Sequence, residues 1–475
     1  MTNTPFLLLL LLLLSTICSG RQEKQAKQLD SIFSLLHTQN QFNGSVLIAE
    51  KGKVIFEKGY GFNNETGSHH DNDPQTIFEL ASCSKPFTAM AIILLKREGK
   101  LRYEDPVSKY LPELAFWDKV TIADLLRHTS GIPNDYTADL VKNRQEAHIA
   151  TNEDVIRYCA ARKDTLLFAP KSRHQYNNNN YVFLASIIAR VSGMSYSDFL
   201  SRNIFTPLGM RHTFVYNRRQ QPQSIKNYAT GYIWDKYSLT KVISENAAFP
   251  DSTAYFADGI VGAAKVNANV EDLYRWVTAL KNHTLLTPAE FAEMTAITQT
   301  TGGEAIAYGF GLNLSKGEKK FSFGHTGNWD GYVSLISHNM IKDRTIIILE
   351  NLQTGVFPFE NITQILDGKP VTGKYRRKIA LPEAAIQKFT GVYADEQDKA
   401  DAHIITCHDG HLFYNAKSGE WDMRFFPVAD NEFSALRPNG ADGTMRFTMM
   451  ANGGMKLEML QGGTVVGSGI RKVGE

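Results

Sequence analysis

Ser82 and Lys85 form an S-x-x-K pattern, in which a hydroxyl and an amine stand three residues apart. A serine hydroxyl is a weak nucleophile until a nearby base takes its proton. Side chains three apart on a helix share one face, with Cβ atoms about 5–6 Å apart. A lysine one turn after a serine can therefore reach the hydroxyl, provided that its surroundings favour the neutral amine. The pair predicts a nucleophilic serine with a lysine base.

The same pattern occurs a second time, at Ser238 and Lys241, and the surrounding sequence separates the two matches. Ser82 precedes a long helical pattern with Gly99 as its stop signal. Ser238 instead follows an aromatic and β-branched run that is typical of a strand. We interpret Ser238 as an ordinary strand or loop residue. By itself, the pattern leaves a catalytic and a structural interpretation of Ser82 equally open.

Two other groups could carry chemistry, but each has a simpler interpretation. Cys83 has no adjacent cysteine and no obvious base, so we interpret it as a small buried residue of the helix. His69, His70 and Asp71 could hold a metal, but an exposed loop explains them better. The sequence has no H-x-x-x-H pattern and no cysteine cluster. We therefore expect neither a metal nor an organic cofactor.

Length and composition limit the classes of function. A chain of 475 residues is too long for one ordinary core, which predicts two or more domains. Hydrophobic residues make up 43% and charged residues 21% of the chain, as is typical of globular proteins. A net charge of +2 indicates neither a nucleic-acid binder nor a polybasic membrane-surface protein. We expect a small-molecule or peptide substrate and no nucleic-acid partner.

Residues 1–20 are predicted to be a signal peptide. The apolar run that begins at Phe6 has the length of such a peptide, is too short to span a bilayer, and precedes small residues. No Lys or Arg comes before it, which departs from the usual pattern. Cys18 could be the lipidated first residue of a lipoprotein anchored to a membrane, or it could be lost by cleavage after Gly20. Both alternatives predict an exported protein, either periplasmic or a membrane-anchored lipoprotein.

The elements that must position Ser82 follow an α+β pattern. A hairpin is expected over residues 42–62, and helical patterns dominate the middle of the chain, including residues 121–128, 153–161, 180–191 and 270–280. Four short strands are expected at residues 310–314, 320–324, 332–337 and 345–349, before a helix at 358–366. Strands on both sides of a helical middle predict one antiparallel sheet flanked by helices.

The chain changes character after this region. Residues 24–368 are expected to form the main domain, and residues 369–382 read as a linker with glycines, prolines and a basic run. From residue 383 to 475, short strands alternate with Gly, Asp and Asn turns. This pattern predicts a small all-β module, either an antiparallel barrel or a sandwich.

Two further motifs give Ser82 its context. A Y-x-N motif runs from Tyr176 to Asn178 before a predicted helix, and an H-T-G motif ends a predicted strand at His325, Thr326 and Gly327, followed by Asn328. In this order, the motifs resemble those of the serine β-lactamase and penicillin-recognising family, on its class C and D-Ala-D-Ala carboxypeptidase side. The resemblance covers roughly residues 42–366, including the flanking segments 105–112 and 125–131.

The resemblance implies a β-lactamase/transpeptidase-like fold and a role for each motif residue. Ser82 would attack a carbonyl and become acylated, and Lys85 would accept or relay its proton. Tyr176 would share in proton transfer and serve the leaving group, while Asn178 would hydrogen-bond the substrate amide or the lysine. Backbone N–H groups of Ser82 and Asn328 would form an oxyanion hole, which meets charge that develops in the transition state.

His325 stands where β-lactamases usually carry lysine, whereas Thr326 and Gly327 match the motif. Histidine occurs there in some carboxypeptidases, peptidases and esterases of the family, so the departure counts against β-lactamase activity and not against the fold. Histidine titrates near neutral pH. We therefore hypothesise that turnover depends on protonation of His325 at about pH 6–7. Another histidine, His128, is interpreted as stabilising the end of its helix.

Three functions follow, in order of preference. The first is an exported serine hydrolase that cleaves an ester or amide, with D-amino-acid peptides of cell-wall origin as one substrate class. The second is a class C β-lactamase. The third is a non-catalytic penicillin- or wall-binding protein, against which the joint presence of Ser82, Lys85 and Tyr176 argues.

Overall fold

The computed structural model describes residues 4–65, 70–133, 139–140, 142, 148–234, 241–244, 253–317, 320–353, 357–371, 376–398, 401–416, 419–436, 442–461 and 463–471. The chain divides into two compact units. The first, here called the sheet unit, comprises Asn43–Ile233 and Ile243–Gln353. The second, the barrel unit, comprises Met1–Phe42, Trp234–Val242 and Thr354–Glu475.

The α-helices of the described residues cover most of the stretches that the sequence predicts to be helical. They are α1 (Thr4–Thr38), α2 (Lys85–Arg97), α3 (Ile122–Leu126), α4 (Asn152–Arg162), α5 (Asn178–Ser192), α6 (Tyr196–Leu200), α7 (Thr253–Phe256), α8 (Val270–Lys281), α9 (Pro288–Met294), α10 (Phe359–Leu366) and α11 (Glu383–Gln387). Local signals explain their ends. Thr121 and Asp124 form a reciprocal capping box at the start of α3, and Gly193 ends α5 in the left-handed conformation.

The strands up to residue 350 are β1 (Gly44–Glu50), β2 (Lys53–Tyr60), β3 (Phe78–Glu79), β4 (Phe214–Val215), β5 (Tyr232–Trp234), β6 (Lys241–Ile243), β7 (Val266–Ala268), β8 (Thr298–Gln299), β9 (Ala305–Ile306), β10 (Asn313–Gly317), β11 (Lys320–Trp329), β12 (Tyr332–Asn339) and β13 (Arg344–Glu350). Six of them form an antiparallel sheet in the order β10-β11-β12-β13-β1-β2. The predicted antiparallel sheet with flanking helices is confirmed, and β1 pairs with β13 in its interior.

The core of the sheet unit is built on two adjacent interior strands, β13 and β1. Every residue of β13 is buried, including the apolar run from Ile346 to Leu349, and β1 is buried except at Glu50. A strand buried on both faces reads as a continuous apolar run. The buried residues of α2 and α5 belong to the same apolar core as Leu47 and Leu349. The S-x-x-K segment is thereby anchored in the interior of the unit.

The barrel unit carries the predicted all-β module. Its strands are β14 (Gly391–Asp395), β15 (Ala402–His408), β16 (His411–Ala416), β17 (Gly419–Ala429), β18 (Glu432–Leu436), β19 (Asp442–Met449), β20 (Met455–Gln461) and β21 (Thr464–Arg471). They pair in chain order and close through β14 and β21 into a barrel, which decides between the predicted barrel and sandwich. Its core is formed by residues that include Phe389, Tyr393, Leu412, Phe433 and Leu457.

Two local expectations need correction. The sequence predicts a short strand at residues 320–324 with the H-T-G motif at its end, whereas β11 continues past the motif to Trp329. The sequence also places Ser82 and Lys85 on one helix. In the structure, Ala81–Ser84 form a 3₁₀ turn, and α2 begins only at Lys85.

Some sequence-based interpretations fall outside the described residues. They concern Ser238, His69 and the side chain of Cys18. No helix within the described residues is long and apolar enough to cross a membrane. The boundaries expected for the signal peptide, main domain, linker and C-terminal module stay predictions.

Candidate active site

Ser82 lies on a strained turn at the entrance of a buried helix. The residue before it, Ala81, has φ of +47°, which places a non-glycine residue in the left-handed region. Such a conformation costs about 1–3 kcal/mol and persists only where the surrounding structure enforces it. The turn leaves Ser82 partly exposed, while Cys83 and Ser84 are buried. The serine is thus the accessible residue of an otherwise buried turn.

Lys85 is placed to act on the Ser82 hydroxyl. Its Nζ donates hydrogen bonds to Ser82 Oγ at 2.9 Å and to the Ala263 carbonyl at 3.0 Å. The side chain is fully buried, and burial lowers the pKa of the Lys85 amine to about 7. Desolvation disfavours the charged form of an amine. A large fraction of the lysine is therefore neutral near neutral pH and able to accept a proton.

Tyr176 approaches the same oxygen from the other side. Its hydroxyl donates to Ser82 Oγ at 3.0 Å, and Lys85 Nζ lies 4.9 Å from the centre of its ring. Burial raises the pKa of the Tyr176 phenol above its usual value. The tyrosine therefore keeps its proton near neutral pH, and Lys85 is the better base of the two.

Asn178 follows Tyr176 by two residues, where the chain enters a helix. It is the first residue of α5 and its side chain is exposed. Both hydrogen bonds of Lys85 named above go to other groups. The preceding Asn177 has a structural role, because its side chain accepts from Asn179 N–H and donates to the Ile132 carbonyl at 2.7 Å. The role predicted for Asn178 stays a prediction.

The second half of β11 presents backbone groups at an edge of the sheet. Met340 N–H donates to the carbonyl of Phe321, which lies opposite it on β11. In an antiparallel pair, every second residue of a strand forms backbone hydrogen bonds with the neighbouring strand. The odd-numbered residues of β11 therefore form backbone hydrogen bonds with β12. The two-residue turn at Asp330 and Gly331, both with positive φ, continues this register. Even-numbered residues face the other way.

On that other side, β10 pairs only with β11 residues 320–324. The backbone groups of Thr326 and Asn328 therefore point to an edge that no described strand covers. The side chains of both residues are exposed. This is the orientation that an oxyanion donor at Asn328 requires.

His325 is buried and has partners at both ring nitrogens. Nδ1 lies 2.6 Å from the Thr326 carbonyl, and Nε2 lies 3.0 Å from the Tyr308 hydroxyl. A carbonyl can only accept, so Nδ1 carries the proton and Tyr308 donates to Nε2. Burial and the nearby Lys85 amine lower the pKa of His325 to about 3. The hypothesis that His325 titrates at about pH 6–7 is therefore wrong, because burial disfavours the charged imidazolium and moves the pKa of His325 below its ordinary value.

Gly327 allows β11 to pack directly against the Ser82 turn. A Cβ at this position would overlap the Leu80 carbonyl, and it would lie 2.5 Å from Ser334 Oγ and 3.0 Å from Ala81 Cβ. The Ser334 hydroxyl also donates to the Leu80 carbonyl at 2.7 Å. The close contact fixes the distance between the nucleophile and the strand edge.

Cys83 has the bulk-filling role that the sequence indicates. Its Sγ donates to the His325 carbonyl at 3.2 Å, and burial raises the pKa of the Cys83 thiol to about 12. A thiol of this kind is a poor nucleophile near neutral pH.

Sequence reasoning missed two partners of the motif residues. Tyr308 donates to Nε2 of His325, and the Ala263 carbonyl accepts from Lys85. The glycines that follow Tyr308, Gly309 and Gly311, were a signal that this segment packs closely against another, since glycine in a strand-like run marks a close backbone approach. A Cβ at Gly311 would lie 2.8 Å from the backbone of Lys85.

A buried charge cluster, also missed from the sequence, lies beside these segments. It consists of Glu79, Asp258, Asp330, Arg218, Arg219 and Lys265, all with nearly inaccessible side chains. Lys265 Nζ lies 3.1 Å from Glu79 and 2.8 Å from Asp258. Asp330 accepts from both arginines at 2.6 Å. Three carboxylates and three cations balance one another, as buried charges require.

The chain is similar in sequence to a known protein family. Residues 29–368 match the family described as Beta-lactamase. The chain is 34% identical over 421 residues to "Penicillin-binding protein 4*" of Bacillus subtilis (strain 168), which covers 87% of this chain and 92% of that protein.

Two solved structures share the fold. One is an octameric penicillin-binding protein homologue from Pyrococcus abyssi, with TM-score 0.62, 24% identity, and coverage of 94% of this chain and 99% of that chain. The other is a D-amino acid amidase from Ochrobactrum anthropi SV3, with TM-score 0.55, 23% identity, and coverage of 70% and 92%.

Proposed function

The chain belongs to the beta-lactamase family of serine hydrolases, and from this we propose that it cleaves an ester or amide through an acyl-enzyme on Ser82. One observation carries the proposal. Ser82 Oγ lies 2.9 Å from Lys85 Nζ and 3.0 Å from the Tyr176 hydroxyl. A nucleophile within hydrogen-bond reach of a base is the arrangement that acyl transfer needs.

In the proposed reaction, neutral Lys85 takes the Ser82 proton while Oγ attacks the substrate carbonyl. The backbone N–H groups of Ser82 and Asn328 stabilise the oxyanion that forms. Collapse of the intermediate breaks the bond to the leaving group. Tyr176 delivers a proton to this group and recovers one from Lys85. Water then releases the acyl group, and Ser82 regains its proton.

The proposed substrate is a D-amino-acid amide, ester or peptide, as in cell-wall fragments. One structure of the same fold is named a D-amino acid amidase, and a relative in sequence is named a penicillin-binding protein. The open edge of β11 supports a peptide-like substrate, because exposed backbone groups of a strand can pair with an extended chain. Thr326 and Asn328 would bind it there.

A class C β-lactamase is the second candidate, and His325 argues against it. The ring is neutral, and its nitrogens are already engaged by Tyr308 and Thr326. It cannot supply the positive charge of the lysine that β-lactamases usually carry there. Nitrocefin turnover by the purified protein tests this alternative. Turnover at rates typical of β-lactamases would overturn our preference.

Export is proposed together with this activity, since the N-terminal apolar run has the length of a signal peptide. Expression in a bacterial host, with mass determination of the mature N-terminus, tests it. Cleavage after Gly20 or a lipid adduct on Cys18 would support export. A cytoplasmic protein with an intact N-terminus would contradict it.

Intact mass spectrometry after a fluorophosphonate or penicillin probe tests the nucleophile. We expect one adduct on the wild type and none on Ser82→Ala. Ser238→Ala is the matched control, because it removes the serine of the second S-x-x-K pattern, and it should keep the adduct. If no probe labels the wild type, a non-catalytic binding protein becomes the better interpretation.

A further inference from the structure

The ring of His128 packs against the ring of Tyr176. The backbone of His128 adopts a conformation that most residues avoid. Its φ is +57°, in the left-handed region, just after α3 ends. Its side chain is fully buried, and the centres of the His128 and Tyr176 rings lie 4.4 Å apart. Few non-glycine residues adopt left-handed backbone, and histidine is among those that adopt it more often than most.

His128 holds the chain on both sides of the tyrosine. Its carbonyl accepts the N–H of Gln175 at 2.9 Å, and its Nδ1 accepts the N–H of Asn177 at 3.2 Å. Asn180 Nδ2 lies 3.3 Å from the same Nδ1. The residues before and after Tyr176 are therefore fixed by one histidine, whose ring also supports the phenol ring.

The hydrogen bonds of His128 also define the tautomer of its ring. Because Nδ1 accepts from Asn177, the proton of the neutral ring is on Nε2. Nε2 is buried and has no hydrogen-bond partner among the described residues. Burial also lowers the pKa of His128 well below its ordinary value, so the neutral ring is the relevant form.

We propose that His128 is a positioning residue that aims the Tyr176 hydroxyl at Ser82 Oγ. The proposal rests on the proposed function, in which Tyr176 serves the leaving group. A tyrosine displaced by about 1 Å loses much of its effect on the reaction. Displacement of the Tyr176 hydroxyl slows reactions in which the leaving group must be protonated. It leaves reactions with a good anionic leaving group nearly intact.

Two variants separate the hydrogen bond from the rest of the ring. His128→Asn places an acceptor oxygen where Nδ1 lies, and asparagine tolerates left-handed backbone. His128→Gln carries its oxygen further out, near the position of Nε2. The readout is the ratio of kcat/KM for ethyl butyrate to that for p-nitrophenyl butyrate, two esters that differ only in the leaving group. We expect this ratio to fall at least about 10-fold in His128→Gln and to stay within about 3-fold in His128→Asn.

The control residue is His338, a second buried histidine of the sheet unit. Its Nδ1 lies 2.9 Å from Thr345 Oγ1, and its Nε2 has no hydrogen-bond partner among the described residues. His338→Gln and His338→Asn should lower the melting temperature without a change in the ratio. If the ratio falls equally in both pairs of variants, the role of His128 is structural and the proposal is overturned.

A double-mutant comparison tests whether His128 acts through the Tyr176 hydroxyl. Tyr176→Phe removes the hydroxyl and should lower the ratio by itself. Adding His128→Gln to Tyr176→Phe should then have no further effect on the ratio, because both changes remove one function. Additive effects would overturn the proposal. Absence of turnover and of any Ser82 adduct in the wild type would instead refute the proposed function, and this role with it.

Discussion

At the scale of single residues, burial gives the two side chains that contact Ser82 different roles in proton transfer. Lys85 and Tyr176 both contact Ser82 Oγ, and burial shifts their pKa values in opposite directions. The amine becomes easier to deprotonate and the phenol harder. The lysine is therefore suited to act as the base, and the tyrosine keeps a proton that can be passed to a leaving group.

The pH dependence of turnover should report Lys85. With a pKa of about 7, the amine is protonated and inactive as a base at lower pH, and it becomes neutral as the pH rises. We expect kcat/KM for p-nitrophenyl butyrate to rise about tenfold per pH unit below pH 7 and to level off above it. His325→Gln should leave the midpoint in place. A midpoint that moves in this variant would return the titration to His325.

Lys85 should also make stability depend on pH. Its pKa is about 7 in the folded protein and 10.5 as an unperturbed amine. Between these values, the unfolded chain binds a proton that the folded protein does not, so wild-type stability rises with pH. Lys85→Met lacks this term. Its free energy of unfolding relative to the wild type should therefore fall by about 2–3 kcal/mol between about pH 7.5 and 9.5. Urea denaturation at the two pH values measures the change, and a constant difference would contradict the lowered pKa.

At the scale of elements, the site depends on how closely β11 approaches the turn at Ala81–Ser84. The strand carries the oxyanion donor proposed at Asn328, and the turn carries the nucleophile. Gly327 permits their contact because a side chain has no space there. Ser334 on β12 adds a hydrogen bond to the Leu80 carbonyl. The distance between the two elements is thus set by backbone packing.

Gly327→Ala should separate these elements and slow acylation. The added methyl group would overlap the Leu80 carbonyl, which belongs to the backbone and cannot rotate away. We expect kcat/KM to fall by at least about 10²-fold, because small displacements in a catalytic group are costly. Gly317→Ala on the adjacent strand is the matched control, since no atom lies within 4 Å of its added Cβ. Equal activity of both variants would contradict the proposed spacing.

The sequence predicted the elements better than their junctions. Periodicity identified the hairpin of β1 and β2 and the helices α2, α5 and α8, because each follows an apolar pattern of its own. It did not reveal that β11 continues through the H-T-G motif to Trp329. Polar residues that face a site interrupt the alternation by which a strand is recognised.

The candidate site was predicted from sequence motifs, and site residues that belong to no motif were missed. Ser82, Lys85 and Tyr176 lie together as the motif order implied. Tyr308 and the six-charge cluster were not found, because long-range pairing leaves no local pattern in one sequence. The error on His325 has the same origin, since its burial is a tertiary property.

At the scale of the whole molecule, the two units differ in how they use polar groups. The sheet unit buries a balanced set of charges that joins distant segments. Glu79 lies three residues before Ser82, and Lys265 lies two after Ala263. Asp330 closes the turn after β11. The barrel unit instead packs an apolar interior inside a closed ring of strands.

Removal of one cation from the cluster should destabilise the sheet unit strongly. Lys265→Met leaves Glu79 and Asp258 buried with an unbalanced negative charge. Such changes cost about 3–5 kcal/mol. Lys281→Met is the control, because its pair with Asp343 is partly exposed and should contribute less than about 1 kcal/mol. Urea denaturation measures both, and similar losses would contradict a special role for the cluster.

The closed barrel also has a consequence for the order in which the chain folds. Each neighbouring pair from β14 to β21 is a local hairpin, except the pair that closes the ring. That pair joins Ala394 to Ile470, so its ends are far apart in the chain and meet at the greatest entropic cost. We therefore expect closure to be the last step in barrel assembly. Until then, β14 and β21 expose unpaired backbone edges to other chains.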